Sequence, residues 1–249
     1  MSLDRLQRTW DELGQKDPLW AVLTWPEKKG GRWRADEFFE TGVSEVEDLM
    51  AYLEKLGRAP PREKVLDFGC GVGRVTQPLA AYFDEVWGVD IAPSMIAWAE
   101  HFNGEGERCR YMVNVAEDLA VFADATFGLV YSKLTLQHLP PALAKKLIVE
   151  FVRVLHPRGV AVFQLPGEPE RQRHPRVQQC RRAIRWFIPE WCIRTYRKLR
   201  YGHLIEMNGI PRDEVVSLVE ANGGVALDIT QDTSAGGGWT SYRYCVGRR

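Results

Sequence analysis

The stretch Val65-Leu66-Asp67-Phe68-Gly69-Cys70-Gly71-Val72-Gly73-Arg74 decides the fold. It reads as a short apolar strand from Lys64 to Phe68, a loop with glycine at 69, 71 and 73, and the start of a helix spanning Val75 to Phe83. Glycines at a strand-to-helix turn let a ligand lie against the main chain without a Cβ clash. The turn stands at the carboxyl end of a strand, where open α/β sheets bind ligands. The spacing separates cofactors. A dinucleotide fingerprint runs G-x-G-x-x-G, with the pyrophosphate on the helix N-terminus. Here the pattern is G-x-G-x-G and the sixth position is Arg74. Asp67, just before the loop, repels a pyrophosphate and suits an ammonium group.

Downstream, strands and helices alternate. Glu85 to Val89 is a second strand ending at Trp87-Gly88-Val89-Asp90. Pro93 to Phe102 is a helix with Pro93 in its first turn. Arg110 to Val113 and Phe127 to Ser132 are strands, and Pro140 to Leu155 is a helix closed by a turn at His156-Pro157-Arg158-Gly159. Val160 to Leu165 is a strand ended by Pro166-Gly167. This rhythm predicts a mainly parallel sheet with helices on both faces. Asp90 at a strand tip accepts hydrogen bonds from ribose hydroxyls, which nicotinamide and adenosyl cofactors both require. Ile91 and Met95 either sandwich an adenine or pack as helix core.

Residues 1–60 form a helical extension carrying Trp10, Trp20, Trp25 and Trp33. Phe38, Phe39, Val43, Val46, Leu49, Met50, Leu53 and Leu56 recur at helical spacing between Ala35 and Leu56. Asp36, Glu37, Glu45, Glu47 and Asp48 read as solvated helix faces. The core occupies 61–167. Residues 168–209 break the rhythm with arginines and with Trp186, Phe187, Trp191, Tyr196 and Tyr201. They read as a helical insertion: a solvated helix pair, a lid gripping an anionic substrate through arginine forks, or an RNA contact. Residues 210–249 supply a helix from Pro211 to Ala221, strands at Val225–Thr230 and Trp239–Val246, and a turn at Gly236-Gly237-Gly238. The two strands form an antiparallel hairpin at one sheet edge.

Composition narrows the class. The 249 residues are 45% hydrophobic and 27% charged, so disorder is excluded. Lys plus Arg and Asp plus Glu are 33 each, which argues against a surface built for nucleic acid. Apolar runs are strand-sized, too short for a membrane span, and the first residues lack a secretory signal's apolar core. Cys70, Cys109, Cys180, Cys192 and Cys245 form no Cys-x-x-Cys, so neither a zinc site nor a disulfide framework is expected. A reducing cytoplasm and metal-independent chemistry fit best.

Five stretches, Val65–Gln77, Val86–Ala99, Asn114–Leu119, Phe127–Pro140 and Phe151–Leu165, resemble the class I S-adenosylmethionine-dependent methyltransferases. Arg153 to Gly159 resembles the family's R-x-L-x-P-G-G turn, with Arg158 replacing a glycine. The resemblance implies a Rossmann-like seven-stranded α/β fold. It places Gly69, Gly71 and Gly73, with Cys70 and Arg74 of the same loop, around the methionine part of S-adenosylmethionine. It places Asp67 near the amino group, Asp90 on the ribose, and Ile91 and Met95 beside adenine. Val115 stands where the family often has an adenine-binding Asp; the Ala116 N–H and a side chain from Glu117 or Asn114 take that role. Gly128 stands where many members have Asp. Phe39, Thr41 and Gly42 border the cofactor, or else the aromatics of this segment pin the extra helices to the domain. Ser132 to His138 faces cofactor and substrate, with Ser132 on the cofactor side.

His138 is the candidate base for a hydroxyl acceptor, or else caps the turn before Pro140-Pro141; His203 is a second candidate. Ser132-Lys133-Leu134-Thr135 replaces the Asn/Asp-Pro-Pro-Tyr/Phe tetrapeptide, which argues against methylation of base amino groups. The implied reaction methylates a small-molecule acceptor, at oxygen before nitrogen, with an anionic or sugar-like acceptor favoured and S-adenosylhomocysteine as product. An RNA or protein methyltransferase, an NAD-type oxidoreductase and a non-catalytic adenosyl-binding scaffold are the alternatives. The chain is expected to be a monomer or homodimer.

Overall fold

A computed structural model of the chain describes residues 2–169, 206–236 and 238–249. Its strands are β1 (Lys64–Phe68), β2 (Glu85–Asp90), β3 (Cys109–Val113), β4 (Phe127–Ser132), β5 (Leu155–Pro169), β6 (Gly224–Asp232) and β7 (Trp239–Arg248). They form one sheet in the order β3-β2-β1-β4-β5-β7-β6. The first five are parallel, while β7 runs antiparallel to both β5 and β6. The helices are α1 (Leu3–Lys16), α2 (Pro18–Val22), α3 (Ala35–Lys55), α4 (Thr76–Leu79), α5 (Pro93–Phe102), α6 (Pro141–Val154) and α7 (Arg212–Ala221).

Period-two alternation builds the two faces. Val65, Leu129, Tyr131, Val160 and Val162 pack against Val46, Leu49 and Leu53 of α3 and Leu79 of α4. Leu66, Val130, Ala161 and Phe163 face the other way, onto Leu147, Ile148 and Phe151 of α6 and Val215 and Val219 of α7. This is a Rossmann-like α/β fold, with α1 and α2 added over α5. Ser94 on α5 donates from its backbone N–H to Asp11 Oδ1 at 2.8 Å and from its hydroxyl to the Asp11 carbonyl at 2.9 Å.

Two elements differ from the sequence reading. The helix after the glycine loop stops at Leu79 rather than Phe83. Pro78 has no N–H to donate, and Ala80, Ala81 and Tyr82 tighten onto the carbonyls three residues back. The expected turn at His156 to Gly159 is instead a bulge inside β5, where the register with β4 jumps from Phe127–Leu155 to Leu129–Val160. Arg248 on β7 holds it, donating to the Arg153 and Leu155 carbonyls. Gly128 has a packing cause: a Cβ there would lie 1.9 Å from the Pro61 carbonyl oxygen.

Residues 170–205, with His203, the arginines and the aromatics of the expected insertion, lie outside the described residues. Their flanks are bound to the core: β5 continues to Pro169, and Asn208 and Ile210 donate to the Gln137 and Pro166 carbonyls at 2.7 and 2.9 Å. No helix among the described residues is long and apolar enough to cross a membrane.

Candidate active site

The glycine loop and the β2 tip are one unit. Gly69, Gly71 and Gly73 have φ of 79°, 53° and 81°, the left-handed region that side chains rarely adopt. Gly69 and Cys70 donate to the Val89 carbonyl at 2.7 and 3.1 Å. Gly71 N–H donates to Asp90 Oδ2 at 2.9 Å, and Ala92 N–H to Asp90 Oδ1 at 2.9 Å. Burial raises the Asp90 pKa, opposed by hydrogen bonds from Ala92, Gly71 and Ile91. Gly71 and Ala92 engage different oxygens of the carboxylate, which together offer about four acceptor positions.

A cleft of about 390 Å³ opens over this unit. Gly69, Asp90 and Ile91 form its floor, and Asn114 and Ala116 one side. Leu134, Thr135, Gln137 and His138 form the wall after β4, and Leu3, Leu6 and Trp10 of α1 with residues 21–25 lie opposite. Met207 and residues 234–236 complete the rim. Its lining is mostly apolar with a few polar groups, as in small-molecule sites. A second, small cavity of about 30 Å³ adjoins it and shares Val22, Gly69, Lys133 and Leu134.

Around that small cavity lie Asp67, Cys70, Arg74, Glu45 and Tyr131. Asp67 is 4% exposed and accepts from the Thr76 hydroxyl at 2.7 Å. Burial pushes its pKa up to about 7, against the pull of Thr76 and Arg74. Burial likewise pushes the Cys70 thiol up. Glu45 corrects the sequence reading: it is no solvated residue. It accepts from Arg74 Nη2 at 2.9 Å, Lys133 Nζ at 3.2 Å and the Tyr131 hydroxyl at 2.8 Å. Burial raises its pKa, but Arg74 and Lys133 outweigh that and the net shift is downward.

Other expected residues are placed elsewhere. Met95 is buried under α1 with Leu13, Trp33 and Phe38, because the Asp11–Ser94 contacts seat α1 over it. Ser132 is fully buried and spends its hydroxyl on the Phe68 carbonyl at 2.9 Å, joining β4 to β1. Glu117 is exposed and paired with Lys146 of α6. Ala116 reaches the cleft, but its N–H already donates to Asn114 Oδ1 at 3.0 Å. Gly73 packs where a Cβ would meet the Tyr111 hydroxyl at 2.6 Å. Thr41 and Gly42 touch Arg74 rather than the cleft, and Phe39 packs on Phe38 and Phe102.

His138 does face the cleft, with its ring centroid 5.2 Å from that of Trp10. Its ring nitrogens lie 3.0 Å from the Glu206 carbonyl and 3.1 Å from Gln137 Nε2. Burial pushes its pKa down to about 4, so it is neutral near pH 7. Gln137 and Lys133 line the cleft without having been singled out from the sequence.

A family profile described as "Methyltransferase domain" matches residues 66–163. Trans-aconitate 2-methyltransferase from Streptomyces avermitilis is 29% identical over 142 residues, 56% of this chain and 51% of that protein. The 2-methyl-6-phytyl-1,4-hydroquinone methyltransferase of Synechocystis is 25% identical over 187 residues, 74% of this chain and 57% of that protein. The chain thus spans little more than half the length of these curated relatives. Among solved structures, magnesium protoporphyrin IX methyltransferase from Synechocystis with bound SAH superposes with a TM-score of 0.64 at 15% identity, covering 99% of both chains. A putative sarcosine dimethylglycine methyltransferase from Galdieria sulphuraria gives a TM-score of 0.59 at 18% identity, covering 84% of this chain and 87% of that one. The parallel run of β1 to β5, the left-handed glycine loop latched to Asp90 and the domain matched over that same stretch place a methyltransferase domain of the class I S-adenosylmethionine-dependent type at residues 66–163.

Proposed function

We propose that the cleft binds S-adenosylmethionine and that the chain transfers its methyl group to an oxygen of a small-molecule acceptor, leaving S-adenosylhomocysteine. The observation that carries the reading is the Gly71–Asp90–Ala92 junction, where a partly desolvated carboxylate beside a glycine cradle keeps lone pairs for two hydroxyls. The residues present fit the cofactor: Asp90 for the ribose, Ile91, Asn114 and Ala116 for the adenine, and Asp67 for the ammonium.

When bound, S-adenosylmethionine supplies a methyl group already activated on a sulfonium. What remains for the protein is alignment and exclusion of water. The glycine loop and Asp90 fix the donor, and Leu6 and Trp10 of α1 shield the cleft. His138, unprotonated at neutral pH, receives the acceptor's proton at Nε2, in exchange for the hydrogen bond from Gln137. A base this weak suits an oxygen that is itself acidic, such as a phenol, over a sugar hydroxyl, while a carboxylate acceptor is already ionised near pH 7 and needs no base. A relative named for trans-aconitate, a carboxylic acid, supports an acidic acceptor.

Calorimetric titration of S-adenosylhomocysteine, with NAD as control, tests the reading. One-to-one binding of the first and none of the second is expected, weakened in Asp90→Ala by about 1.5–3 kcal/mol. Absence of S-adenosylhomocysteine binding overturns it. With a phenolic acceptor from a phenol and carboxylate screen, His138→Ala lowers turnover and spares that affinity; unchanged turnover removes His138 from the chemistry.

A further inference from the structure

A buried relay of amides connects the cleft backbone to His138, and its polarity is fixed at both ends. Leu134 has φ of 60°, uncommon outside glycine. Its N–H donates to Gln164 Oε1 at 3.2 Å. A backbone N–H only donates, so the Gln164 amide has one orientation. Its Nε2 then donates to Ser241 Oγ at 2.6 Å and to Gln137 Oε1 at 3.3 Å. That leaves Gln137 Nε2 to face His138 Nε2 at 3.1 Å. On the other side of the ring, Nδ1 meets the Glu206 carbonyl, which only accepts. Both ends demand the same state: hydrogen on Nδ1, lone pair on Nε2. Gln137, Gln164 and Ser241 are 4%, 2% and 0% exposed, so bulk water does not compete for these bonds.

We propose that Gln164 is a positioning residue of the transfer site. Acting through Gln137, it locks His138 as the neutral Nδ1–H tautomer with Nε2 as the acceptor, and it holds the left-handed turn at Leu134. The proposal rests on the reading above for the role of His138, but not for its tautomer. The groups against the ring are Trp10 from α1, Gln137 from its own turn and the Glu206 carbonyl. Among the described residues, no carboxylate or ammonium shifts its titration.

Gln164→Glu inverts the relay. A carboxylate at 164 still accepts from Leu134 but has no hydrogen for Gln137. Gln137 then turns its NH₂ toward residue 164 and its oxygen toward His138. The ring now needs hydrogens on both nitrogens, which is the imidazolium. Nitrogen-15 NMR of the histidine rings in the ligand-free chain reads this directly. The wild type should show a neutral Nδ1–H ring that titrates below the ordinary histidine range. Gln164→Glu should raise that titration by about one unit or more, a tenfold gain in proton affinity. An unmoved titration in a variant with wild-type thermal unfolding overturns the proposal, as does an Nε2–H ring in the wild type. Should Gln164→Glu fail to fold, Gln137→Glu carries the same expectation, because its carboxylate accepts from Gln164 and requires a hydrogen on Nε2; no rise there overturns the proposal equally. Titrating S-adenosylhomocysteine into the same wild-type sample separates the two readings: its failure to bind sinks methyl transfer and leaves the tautomer result standing.

Discussion

Asp67 shows how the site sets stability against binding. Its pKa in the folded chain, about 7, lies above the ordinary carboxylate range because the side chain is buried. The folded state therefore holds a proton that the unfolded state has lost. That contribution is complete in acid and is lost as the pH rises through about 7. Asp67→Asn keeps an acceptor for the Thr76 hydroxyl and removes the charge. The ligand-free variant should melt a few degrees above wild type at pH 8, with the gap closing toward pH 5. It should also lose affinity for S-adenosylhomocysteine, whose ammonium has lost its carboxylate. Wild-type affinity would remove Asp67 from the ammonium site. Equal melting at pH 8 would refute the account of its buried charge.

Among elements, α3 keeps its expected span and apolar face but places one residue, Glu45, differently. A helical count of apolar residues set Glu45 on a wet face. Yet Gly42, Val46, Leu49 and Leu53 are buried, and Glu45 shares a stripe with Gly42 and Leu49. A Cβ at Gly42 would lie 2.0 Å from the Arg74 carbonyl, so the helix presses directly on the end of the glycine loop. Glu45 is the counterion of both Arg74 and Lys133 there. Replacing it with alanine strands two cations, Arg74 among the buried ones, and should cost about 3–5 kcal/mol in denaturant unfolding. A loss below about 1 kcal/mol would mean that the pairs are solvent-screened. Where local signals suffice, the sequence and the structure agree: Lys64–Phe68, Pro93–Phe102 and Phe127–Ser132 have the same ends in both. Gly69 after Phe68 and Pro93 at the start of its helix punctuate the first two. The same punctuation misleads at Pro157 and Gly159, where pairing with β4 and bonds from β7 override it. Asp90, Ile91 and His138 were legible as residues of the cleft lining because they lie at or beyond the carboxyl ends of strands. The Gln137–Gln164–Ser241 relay was not, since its bonds join residues 27 and 77 positions apart through pairings with no local signature.

Across the whole molecule, the cleft draws walls from α1, the tips of β1 and β2, the segments after β3 and β4, α6 and the turn before β7. A ligand there bridges distant parts of the chain and binds only the folded state. At a hundredfold excess over its dissociation constant, S-adenosylhomocysteine should add about 2.7 kcal/mol, raising the melting temperature by about 5–10 °C. NAD should leave it unmoved. An equal rise with both ligands would mean that the cleft does not discriminate between them.

The sheet order carries a consequence for synthesis. Trp239–Arg248 does not extend the sheet outward; it wedges between β5 and β6 and pairs with both. A ribosome that has released everything through Asp232 has thus delivered six of the seven strands and none of the one that seals them. Until it emerges, the long apolar run of β5 presents a bare backbone edge to neighbouring chains. A premature stop ahead of Trp239 would leave that edge open for good. Such products should be recovered as aggregates rather than as shortened, folded domains.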